Sequence, residues 1–79
     1  MNDELFSVVQ FFADDGYEYV LNNVDARTAV ECAKRLTETV GGRLGTMRRV
    51  IITDTGDLTV FEWKFGEGVT FPTPAERAA

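Results

Sequence analysis

The sequence predicts an α+β domain in the order β-β-α-β-β: a four-stranded, mainly antiparallel sheet with one helix packed on one face. Three observations predict it. Short runs of β-branched and aromatic residues come in two pairs, as strands require. Each pair is divided by an Asp/Gly cluster, at positions 14–16 and 54–57, which is the chemistry of tight reversals. Between the pairs lies a segment whose apolar residues recur at spacings of three and four.

The first strand is expected over residues 5–12, where Leu5, Ser7, Val9 and Phe11 alternate with Phe6, Val8, Gln10 and Phe12. Both sets are largely apolar, so the strand belongs inside a sheet or against a partner. Asp15-Gly16 reverses the chain, with Gly16 as the residue expected at positive φ, and a second strand follows over residues 17–21. Asn22, Asn23, Val24 and Asp25 then interrupt it, and Asp25 is placed to cap a helix by accepting from the first-turn amides.

That helix is expected from Ala26 to about Val40, with Ala26, Ala29, Val30, Ala33, Leu36 and Val40 as its inward stripe and Cys32 at the edge. Its other face carries Arg27, Glu31, Lys34, Arg35 and Glu38, an ordinary solvated face in which Glu31 and Arg35 stand four apart in the favourable orientation. Gly41-Gly42 is expected to stop it. A third strand follows over residues 46–53 around Val50-Ile51-Ile52, then a reversal at 54–57 and a fourth strand over 58–65. In that fourth strand Thr59, Phe61, Trp63 and Phe65 share one face by alternation, and Leu58, Val60, Glu62 and Lys64 the other. Residues 69–71 add a short extended segment before Pro72 and Pro74. Residues 1–72 are expected to form one domain and 73–79 a frayed tail.

Composition narrows the chemistry. The 79 residues are 44% hydrophobic and 27% charged, with one cysteine and no histidine. These proportions suit a globular chain rather than a disordered one, and they leave no disulfide framework, histidine-based catalysis or common zinc site. Cys32 without a histidine has no general base, and reads as a small core residue. The carboxylate pairs Asp14-Asp15 and Asp54/Asp57 fall in expected turn tips, where their pKa values are not driven apart and the spacing is not that of a calcium loop. Gly41-Gly42-Arg43-Leu44-Gly45 follows a helix rather than preceding one, so it lacks the amide-rich N-terminus of a phosphate cradle. No catalytic residue, metal site or cofactor is expected. With acidic residues instead of a basic leader at its start and no long apolar run, the chain reads as cytoplasmic and not a membrane protein.

The net charge is −5 and is unevenly spread. Residues 1–25 hold Asp3, Glu4, Asp14, Asp15, Glu18 and Asp25 with no base, whereas residues 26–49 hold six bases and two acids. One helix covers only one face of a four-stranded sheet, which leaves apolar surface to be covered by something else. The expectation is a non-catalytic protein-interaction module that holds a second copy of itself, as a homodimer, or another protein partner through the uncovered sheet face or an edge strand, with Phe11, Tyr19, Phe61, Trp63 and Phe65 as anchors and Arg48 and Arg49 at the rim. The Phe61-Trp63-Phe65 row equally fits a core beneath the helix. One alternative is a small acidic inhibitor that offers Asp3, Glu4, Asp14, Asp15 and Glu18 to a basic nucleic-acid-binding groove of a partner enzyme. A second is single-stranded nucleic acid stacked on the aromatic sheet face, which the acidic charge disfavours.

Overall fold

A computed structural model of the chain describes residues 4–39 and 43–72. Val40, Gly41, Gly42 and the tail expected from residue 73 onward lie outside the described residues. The elements are β1 (Phe6–Phe12), β2 (Tyr17–Val24), α1 (Ala26–Thr37), β3 (Met47–Thr53), β4 (Thr59–Lys64) and β5 (Gly68–Phe71). They form one sheet in the order β2-β1-β3-β4-β5, antiparallel at every neighbouring pair. The predicted α+β class and the β-β-α-β-β order hold, but the sheet has five strands, not four. Gly66 and Gly68 take positive φ (83° and 78°), and the Glu67 amide donates to the Lys64 carbonyl at 3.0 Å, turning residues 69–71 back onto β4.

Both hairpin turns follow one plan, and it differs from the expected one. The Phe12 amide donates to the Gly16 carbonyl (2.8 Å) and the Asp54 amide to the Leu58 carbonyl (3.0 Å), enclosing three-residue loops. Positive φ falls on the third loop residue, Asp15 (71°) and Asp57 (63°), rather than on the neighbouring glycines. Carboxylates stabilise the loops from within. Asp14 accepts from the Gly16 amide at 2.9 Å, and Asp54 accepts from the amides of Gly56 (2.9 Å) and Leu58 (3.0 Å).

β2 runs three residues past its expected end. Two register shifts against β1, one of them where Asn23 takes φ 56°, let the strand absorb Asn22-Asn23 instead of ending there. A further shift between β3 and β4 sets Thr59 opposite Thr53, while Phe61 remains opposite Ile52. Thr59 therefore leaves the face of Phe61 and Trp63, contrary to strict alternation.

α1 is shorter than its apolar stripe suggested. It ends at Thr37 with Glu38 as C-cap. Asp25 takes the extended N-cap backbone, but its side chain makes no hydrogen bond to the helix amides. The helix buries Ala29 and Ala33 against Val8, Met47, Val50 and Ile52, with Phe6, Phe12, Val20, Leu21, Val24, Cys32, Leu36, Phe61 and Trp63 packed around them. Alanines at the contact let the helix approach the sheet closely, and each buried valine contributes about 1.5–3 kcal/mol of transfer free energy. Ala26 and Val30 belong to the predicted stripe but are exposed, Val30 by 53%, because α1 lies over β1, β2 and β3 and stops short of β4 and β5. Among the described residues, no helix is long and apolar enough to cross a membrane.

Candidate functional site

The face of the sheet opposite α1 carries the most distinctive side-chain arrangement. Register fixes its membership. Val9 pairs with Tyr19 on one side and Ile51 on the other, and Phe11 pairs with Tyr17 and Arg49. Val9 and Ile51 are 3% and 8% exposed although no helix covers them, so this face has a small core of its own.

Around that core, contacts run across all five strands. Tyr19 of β2 meets Tyr17 edge-on at 6.2 Å, and Tyr17 stacks at a tilt on Phe11 of β1 at 5.8 Å. The Arg49 guanidinium of β3 sits 4.9 Å from the centre of the Phe11 ring, a cation–π distance. Its Nε donates to Glu62 of β4, and Glu62 in turn accepts from the Thr70 hydroxyl of β5 at 2.6 Å. The Thr70 hydroxyl, assisted by Arg49, holds the Glu62 carboxyl below its ordinary value against the opposing effect of burial. The row is aromatic at one edge and ionic at the other. Cavities of about 510 Å³ (Phe11, Phe12, Ala13, Asp15, Arg48, Arg49) and about 250 Å³ (Arg49, Thr59, Glu62, Phe71) lie on either side of Arg49.

The residues singled out in the sequence separate into groups. Phe11, Tyr19 and Arg49 come together on the open face. Phe61 and Trp63 lie on the helix side, packed against the core, and not on the open face expected of anchors. Phe65 stacks under the Arg48 guanidinium at 4.9 Å, and a side chain at Gly45 would meet its ring at 3.0 Å, so Phe65 fills the corner where the chain approaches β3. Adjacent strand residues are expected on opposite faces, but the register shift opposite Phe11 and Phe12 leaves Arg48 as the extra residue between Met47 and Arg49, and both arginines line one cavity. The acidic set does not gather into one patch. Asp14 and Asp15 form one turn, Glu18 accepts from Gln10 at 2.8 Å, and Glu4 precedes β1 at its other end, about 20 Å away at strand rise. Asp3 lies outside the described residues.

Tyr17, Glu62 and Thr70 were not singled out in the sequence. Tyr17 was within reach of the same alternation that found Tyr19. Thr70 depended on a fifth strand and on a register shift in it. On the helix side, Val30, Lys34, Thr37, Phe61, Trp63 and Val69 line an apolar cleft of about 230 Å³ between α1 and strands β4 and β5.

Chemically the open face offers an aromatic cluster and one fixed ion pair. Its carboxylate with a displaced pKa, Glu62, is held ionised by two donors, the reverse of what a general acid needs. The Cys32 thiol is on the helix, and burial pushes its pKa up, away from the nucleophilic thiolate. Among the described residues no group of three or more Cys, Asp or Glu side chains is placed to hold a metal ion. Searches against family models, curated proteins and solved structures return no match to this chain.

Proposed function

We propose that this chain is a non-catalytic interaction module that self-associates through the open face of its sheet. The observation that supports this reading is the aromatic cluster at the β2 edge. Tyr17 and Tyr19 are 63% and 53% exposed, yet they pack on each other, and Tyr17 packs on Phe11, beside the buried Val9–Ile51 pair. Tyrosines held rigid at a surface present large contact area at little conformational cost, and they are enriched at the centres of interfaces. Arg49 and Glu62 beside them supply a fixed polar rim.

The ionic row also bears on what kind of partner fits. Arg49 already donates to Glu62, and Asp15 lines the neighbouring cavity, so a polyanion would meet carboxylates beside its cation. A protein surface, including that of a second copy, matches such mixed polarity better. Light scattering coupled to size-exclusion chromatography tests the reading. The intact chain is expected as a dimer at tens of micromolar, and replacement of both tyrosines by serine is expected to give a monomer.

A further inference from the structure

The sheet end that holds the β1–β2 turn gathers Asp15 and Arg48 around one cavity with no ion pair between them. Antiparallel β1 and β3 bring the Asp14-Asp15 turn, in the middle of the acidic residues 1–25, to the start of β3 with Arg48 and Arg49. The Ala13 amide donates to the Thr46 carbonyl at 2.9 Å, tying the turn to the residue before β3. Asp15 is held by its left-handed backbone and by donation from its amide to the Phe12 carbonyl at 3.1 Å. Arg48 and Arg49 are each held over an aromatic ring, and all three charged residues line the cavity of about 510 Å³. Among the described residues no ion pair joins Asp14 or Asp15 to either arginine.

A guanidinium stacked on a ring keeps its N–H edges available for a carboxylate in the plane. A patch that carries a fixed cation beside a fixed anion becomes its own complement after a two-fold rotation, whereas a partner of single sign meets repulsion at one of the two. Phe11 belongs both to this cavity and to the open aromatic face, so the two surfaces are continuous. From this we infer that the sheet end docks against the same end of a second copy, the Asp15 carboxylate of each chain pairing with the Arg48 guanidinium of the other. This rests on the self-association proposed above and specifies its geometry.

Charge-reversal complementation tests it with the full chain. Asp15→Arg alone and Arg48→Asp alone are each expected to weaken the dimer roughly tenfold or more, because like charges then face each other twice. Mixing the two variants is expected to restore a heterodimer of wild-type affinity, which misfolded variants would not do. Asp15→Asn, which tolerates the left-handed backbone, is expected to weaken the dimer less and to reduce its salt dependence. Unchanged dimerisation in the reversals, or failure of the mixture to recover, would overturn the pairing. If the reversals have no effect while the double tyrosine variant is monomeric, the docking geometry fails and the open-face reading stands. A monomeric wild-type chain overturns both.

Discussion

At the scale of single residues, backbone conformation and hydrogen bonding decide more than residue type. Asp57 sits at φ 63°, a conformation that costs most L-residues energy and glycine almost none. Asp57→Gly is therefore expected to stabilise the fold by about 0.5–1 kcal/mol, read as a higher denaturant midpoint at unchanged slope. The Asp-Gly pairs were legible as turns, but the location of positive φ was not, because loop length determines it and Asp and Gly both tolerate it. Glu62 has a sequence signal only as a polar residue on an alternating strand. In the fold the Thr70 hydroxyl and then Arg49 depress its pKa, so its contribution to stability is present above its ordinary value of 4.5 and is lost as pH falls through the lower folded value. Glu62→Gln is expected to flatten this part of the acid limb of a stability–pH profile. An unchanged limb would show that the contact adds nothing to stability.

At the scale of elements, the helix was the most legible part of the chain, and its errors are informative. Ala29 and Ala33 were read as inward and are buried, whereas Ala26 and Val30 had equal periodicity and are exposed. A periodic stripe specifies which helix face turns inward but not how much sheet lies beneath it. α1 rests on β1–β3, so its close approach depends on small side chains. Ala33→Leu is expected to cost about 1–3 kcal/mol through overpacking against the core; thermal denaturation measures this. The strands were legible as apolar runs, but their edges and register were less so. β5 has four residues beside a proline, too short for a periodic signal, and the shift that moves Thr59 off the Phe61 face leaves no mark in the composition. Two members of the candidate site depended on those features. Phe11, Tyr19 and Arg49 could be found by alternation, but Glu62 and Thr70 required the pairing of β3, β4 and β5.

At the scale of the whole molecule, the surplus of apolar residues over what one helix can shelter is resolved in two ways. The sheet buries Val9 and Ile51 on its open face, and the Phe61–Trp63 row goes to the helix side, leaving a smaller exposed aromatic surface than the sequence suggested. Of the exposed aromatic side chains, Tyr17 and Tyr19 lie at the β2 edge and Phe71 at the β5 edge, and Phe11 links the tyrosine pair to a sheet end of mixed charge. In the proposed dimer a second copy buries this β2 edge. The most direct measurement is the molar mass of the intact chain and of its Tyr17→Ser/Tyr19→Ser variant by light scattering across a concentration series. The expected result is twice the 8.8 kDa chain mass for the wild type and a single chain mass for a variant whose circular dichroism is unchanged. A wild type that remains at 8.8 kDa at tens of micromolar, or a folded double variant that stays dimeric, would contradict it.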